Sequence, residues 1–131
     1  MTAQDDADLI RSGYEAFVKG DIPAVLEMFA PDIRWQISGR AGLAGEYRGH
    51  DAVLGFFGQL MERSGGTFKL ELVDLLASED HVVVLTRETG DRAGRSSLDI
   101  QGVHIWRVVD GKAVEFRGTA DDVYAEDAFW D

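Results

Sequence analysis

Residues 98–116 read Leu98-Asp99-Ile100-Gln101-Gly102-Val103-His104-Ile105-Trp106-Arg107-Val108-Val109-Asp110-Gly111-Lys112-Ala113-Val114-Glu115-Phe116. An alternating run meets an Asp-Gly pair and returns as a second run, which is the pattern of a β-hairpin closed by a tight turn. Side chains repeat every second residue along a strand, so His104 and Trp106 share one face. Asp99, Gln101, Val103 and Ile105 take the other, a half-polar, half-apolar surface suited to a dimer interface. A bulge that slipped the register by one residue would turn Asp99 inward instead.

Working back toward the N-terminus, the period-two pattern continues to Thr67, with strands expected near 68–76, 81–89, 96–109 and 113–119. Their short connections favour an antiparallel meander. Both faces of the 81–89 strand are similarly apolar, so Thr86, Arg87 and Glu88 cannot be assigned a side. Before Thr67 the spacing is helical. Leu9, Ile10, Gly13, Tyr14, Phe17 and Val18 form one stripe over 7–19, ended by Gly20. Asp21 is an N-cap for a short helix carrying Pro23 and stopped by Pro31. A third helix is expected over 50–62, after a strand at 33–37 and a glycine-rich connection from Gly39 to Gly49. Asp121 or Asp122 starts a final helical segment with Val123, Tyr124, Ala128 and Phe129 available for packing. The order is α+β, in one domain over residues 1–131.

A chain of 131 residues can bury roughly two-thirds of its unfolded surface in a single core. It has no cysteine, so disulfides, thiolate nucleophiles and cysteine-ligated metals are excluded. The net charge of −11 repels phosphate backbones and anionic membranes, so neither nucleic acid nor a membrane is an expected partner. No apolar run reaches the length of a membrane span, and the acidic N-terminus is unlike a signal peptide, which makes a cytoplasmic location the expectation.

The segments Tyr14-Glu15-Ala16-Phe17-Val18-Lys19-Gly20-Asp21, Tyr47-Arg48-Gly49-His50-Asp51-Ala52-Val53 and Val103 through Lys112 resemble the SnoaL-like branch of the nuclear transport factor 2-like superfamily. That resemblance implies a cone. A strongly curved antiparallel sheet would wrap around a hydrophobic pocket plugged by N-terminal helices, with dimerisation through the outer sheet face. The superfamily includes ketosteroid isomerases, polyketide cyclases, epoxide hydrolases, dehydratases and members that only bind, so fold alone does not settle function.

Matching the superfamily's catalytic positions residue by residue is more selective. The ketosteroid isomerase base aligns with Ile37, flanked by Gln36 and Ser38, so that base is missing. The oxyanion-hole carboxyl aligns with His104, and the tyrosine donor falls at Gly13 or Tyr14. The arginine and two aspartates of limonene-type epoxide hydrolases align with Glu88, Gly90 and Gly118, so that set is missing too.

His104 therefore stands as the expected catalytic group, polarising a carbonyl or shuttling a proton near neutral pH, with Tyr14 as helper. Trp35, Phe57, Trp106, Phe116, Phe17 and Ile37 are the expected ligand-binding wall. His50 at a helix start and His81 at a strand start read as capping or surface residues, and the three histidines are not spaced as a metal site. Asp121 and Asp122 are a carboxylate pair of a kind that serves acid–base chemistry if it reaches the pocket, but at a helix start they read first as capping residues. No metal or cofactor is expected. These features point to a cofactor-independent isomerase, cyclase or dehydratase acting on a small hydrophobic or aromatic metabolite. The rivals are a non-catalytic binding or sequestration protein of the same fold, and an interaction module using the outer sheet face.

Overall fold

A computed structural model describes residues 1–131. Helix α1 (Ala3–Val18) starts four residues earlier than the apolar stripe predicts. Thr2 accepts from the Asp5 N–H and the Asp5 carboxylate accepts from the Thr2 N–H, a reciprocal cap that the expected helix omitted. Helix α2 (Ile22–Glu27) is capped by Asp21 as expected, yet it ends before Pro31. The chain is already extended there, because β1 (Phe29–Ile37) begins at Phe29 and Pro31 sits in its irregular first half.

The glycine-rich connection contains a short strand that the pattern did not suggest, β2 (Gly45–Arg48), which pairs antiparallel with β1. Helix α3 (Gly49–Arg63) then leads into β3 (Lys69–Ala77), β4 (Val82–Gly90), β5 (Leu98–Val109) and β6 (Lys112–Ala120), and α4 (Val123–Trp130) closes the chain. The four long strands form the expected meander, each within two residues of its predicted bounds. Asp110 and Gly111 both have positive φ, at 49° and 76°, which is why the β5–β6 turn needs this pair.

The six strands lie in the order β2-β1-β6-β5-β4-β3, a curved sheet left open at its two edges. One pairing departs from the meander: β1 runs parallel to β6, with Trp35 opposite Phe116. Register shifts in β1, in β3 between Leu72 and Asp74, and between β5 and β6 at Arg107 and Val108 help bend it. The concave face packs against α1 and α3, and its core gathers Ile10, Val53, Val82, Val84, Trp35 and Trp106. No helix is long and apolar enough to cross a membrane.

Candidate active site

The concave face is not filled solid. Between the sheet, α1, α3 and α4 lies a cavity in which about 80 Å³ is open to the centre of a water molecule. Of its 22 lining residues 16 are hydrophobic, and no lysine or arginine is among them. The eight residues singled out from sequence all line it. Tyr14 and Phe17 come from α1, Trp35 and Ile37 from β1, Phe57 from α3, His104 and Trp106 from β5, and Phe116 from β6.

Trp35 stacks on Phe116 at 3.7 Å between centroids and meets Trp106 edge to face at 5.6 Å, so the sheet side of the wall is a block of aromatic rings. Phe17 and Phe57, 5.3 Å apart, separate the cavity from an outer groove between α1, α3 and β3. One strand glycine helps leave the space. Gly118 stands opposite His104, and a Cβ there would press on Phe116 and Ile37.

Trp106, Tyr14, His104 and Glu88 form one connected polar chain along the cavity wall. Trp106 Nε1 donates to the Tyr14 hydroxyl at 2.9 Å, and that oxygen lies 2.6 Å from His104 Nδ1. An indole nitrogen can only donate, so the phenolic oxygen accepts there and its single hydrogen is left for His104. Neutral His104 then carries its proton on Nε2, which faces Glu88 Oε2 at 3.4 Å. The same Glu88 oxygen accepts from Thr86 Oγ1 at 2.9 Å. If His104 takes a second proton, Nδ1 donates to the Tyr14 oxygen, and the phenolic hydrogen is freed. Burial and the nearby charge of Glu88 outweigh the Trp106 hydrogen bond and hold the Tyr14 phenol well above the ordinary tyrosine range, so it remains a donor.

The sequence pattern assigns Glu88 and Thr86 no side, and the structure points both inward while Arg87 faces out. The parity is set by pairing: Val84 lies opposite His104 and Thr86 opposite Gly102. A Cβ on Gly102 would collide with Glu88 Oε2 and Thr86 Oγ1, so the bare backbone at 102 is what lets the Glu88 carboxylate lie against β5 and meet His104. A glycine inside an otherwise regular strand was the available signal.

Glu126, on α4, is a second carboxyl group lining the cavity, and the sequence reading missed it. Burial, then the charges of Glu88 and Asp127, push its carboxyl up to about 8.

Other candidates fall outside the cavity. Asp99 faces out and pairs with Arg87 through two contacts of 3.0–3.1 Å, which holds its carboxyl below the usual range. Asp121 accepts from the Gln101 N–H and Asp122 caps α4. His50 lies 3.1 Å from the Phe29 carbonyl oxygen through Nε2, and His81 is exposed. No three His, Cys, Asp or Glu side chains are grouped to hold a metal ion.

The family model described as a SnoaL-like domain matches residues 10–116. An uncharacterized protein of Mycobacterium tuberculosis is 32% identical over 131 residues, covering 99% of each chain. Bal32a, from a soil-derived mobile gene cassette, matches with a TM-score of 0.92 at 34% identity over 98% of each chain. A protein of unknown function with a cystatin-like fold from Xanthomonas campestris gives 0.88 at 34% identity, over 99% of this chain and 98% of that one. Chains assigned as polyketide cyclases, 18% and 21% identical, share the fold.

Proposed function

The chain belongs to the SnoaL-like family, and on that premise we propose that its cavity is a cofactor-independent acid–base site for a small hydrophobic or aromatic molecule, acting as an isomerase, cyclase or dehydratase. The observation that carries the reading is the chain from Trp106 through Tyr14 and His104 to Glu88, because it opens on a cavity whose lining is mostly hydrophobic. Polar networks are costly to bury, and a few polar groups converging on a mostly apolar pocket are the usual mark of a ligand or active site.

The step common to the three reaction classes is removal of a proton from carbon next to a carbonyl. The Glu88–His104 pair receives that proton, the C–H electron pair becomes the new C=C bond, and the carbonyl oxygen takes up the displaced pair. Return of a proton at a second carbon completes an isomerisation. Tyr14 holds His104 Nδ1, so the ring presents Nε2 to Glu88 throughout. Trp35, Trp106, Phe116, Phe57, Phe17 and Ile37 supply the surface on which a flat ligand rests.

Both ring nitrogens of His104 face protein groups, and that favours a second reading in which the network only shapes a binding or sequestration pocket. The two readings separate on turnover. Ketones, phenols, lactones and epoxides that raise the melting temperature are tested for conversion, and 2-tetralone for deuterium uptake from D2O at its acidic carbon. Acid–base catalysis predicts uptake that falls by about 10² or more in His104→Ala with binding retained. Binding without uptake or conversion would leave the sequestration reading. The outer sheet face, with Val103 and Ile105 among its ion pairs, is proposed as a homodimer contact. A solution mass equal to one chain would refute it.

A further inference from the structure

Helix α4 buries Phe129 and Trp130, which follow Glu126 by three and four residues and so share its side of the helix. That spacing turns Glu126 toward the cavity, which it lines together with Glu88, His104 and Thr119. The cations near α4 are engaged elsewhere. Arg92 donates to the Phe129 and Asp131 carbonyls, Arg95 to that of Ala128 and Arg63 to that of Trp130. The neighbouring Asp127 accepts from the Arg40 N–H. Glu126 has no ion-pair partner, and the titratable groups toward which it turns are Glu88 from β4, His104 from β5 and, across the cavity, Tyr14 from α1; β6 presents no charged side chain to the cavity.

A second observation comes from the opposite wall. Trp35 Nε1 is the one buried side-chain polar atom without a hydrogen-bond partner, and Trp35 lines the same cavity. A buried N–H left unpaired costs free energy that an acceptor atom on a bound molecule would recover. The cavity thus lacks an acceptor for Trp35 and lacks any cation for an anionic ligand.

We infer that Glu126 is a ligand-binding acid of this cavity, donating its carboxyl hydrogen to a carbonyl or other neutral oxygen of an uncharged aromatic ligand. The inference rests on the acid–base reading of the same cavity and supplies its missing donor. When the Glu88–His104 pair takes a proton from carbon, the carbonyl oxygen receives the Glu126 hydrogen. Glu126 is left as carboxylate, and no net charge is created. Its carboxyl titrates at about 8, so it carries this hydrogen at neutral pH.

The test compares binding of 2-tetralone with that of tetralin, the same two rings without the carbonyl, by tryptophan fluorescence at pH 7 and pH 9.5. Wild type should prefer the ketone by about tenfold at pH 7, a net hydrogen-bond contribution of ordinary size, and lose that preference at pH 9.5. Glu126→Gln keeps a donor without a titrating proton and should show the preference at both pH values, whereas Glu126→Leu should show it at neither. A preference insensitive to pH and to Glu126→Leu, or no binding of the ketone, overturns the inference. Deuterium uptake by wild type without the Glu126-dependent preference would sink this inference and leave the acid–base reading. The preference without uptake would sink catalysis and leave Glu126 as a binding residue.

Discussion

Replacing Tyr14 with phenylalanine removes one oxygen from the centre of the buried chain and leaves the ring in place. That oxygen accepts from Trp106 Nε1 at 2.9 Å and lies 2.6 Å from His104 Nδ1, and all three residues are buried. No other acceptor is assigned to the indole N–H, so the variant strands a donor and frees an imidazole nitrogen. Each stranded buried group costs about 1–3 kcal/mol, and losing the phenol's own desolvation offsets part of it, giving a net loss of about 2–3 kcal/mol. For a chain of 131 residues the unfolding entropy is about 0.28 kcal/mol/K, so the melting temperature should fall by about 7–11 °C. Urea unfolding followed by tryptophan fluorescence measures the free energy directly. The same substitution made in a Trp106→Phe background should cost at least about 1 kcal/mol less, because one of the two bonds is already gone. A loss below about 0.5 kcal/mol, or strict additivity of the two substitutions, would refute the hydrogen-bonded chain.

Gly102→Ala should destabilise by about 1–3 kcal/mol in urea, since its methyl group collides with Glu88 and Thr86, and it should lower deuterium uptake as well; unchanged values of both would mean Glu88 does not lie against β5. Glu126 binds a proton in the folded chain up to a pH of about 8 that the unfolded chain releases near 4.5, so the native state holds more protons across that window. Stability should therefore fall as pH rises from about 4.5 to about 8, with this group's slope no steeper than about 1.4 kcal/mol per pH unit, and Glu126→Gln should flatten it; a titration unchanged by the variant refutes the assignment. Trp106→Phe should cost more than Trp35→Phe by about 1–2 kcal/mol, because only Trp106 has a partner for its N–H. Arg87→Ala should change stability by less than about 1 kcal/mol, with the difference shrinking at high salt, since its pair with Asp99 is exposed.

Elements with strong periods were readable from the sequence. The 98–116 hairpin, the α1 stripe and the shared face of His104 and Trp106 follow from local rules, since a strand alternates and an Asp-Gly pair accepts positive φ. The aromatic wall was readable for the same reason, as each of its residues falls on the apolar side of its own element. Residues whose role depends on a distant neighbour were not. The parity of β4 is invisible where Val82, Val84 and Thr86 alternate with Val83, Leu85 and Arg87, and only pairing with β5 turns Glu88 inward. The parallel β1–β6 pairing, which brings Trp35 onto Phe116, joins segments some eighty residues apart and leaves no local trace. Nothing in the sequence set Glu126 apart from its acidic neighbours Asp121, Asp122 and Asp127. The sequence by itself determined the long helices and the four-strand meander, the shared face of His104 and Trp106, and the apolar side of each element. Tertiary structure decided which carboxyl groups enter the cavity, because burial and the approach of like charges arise only when separate strands and helices are brought together.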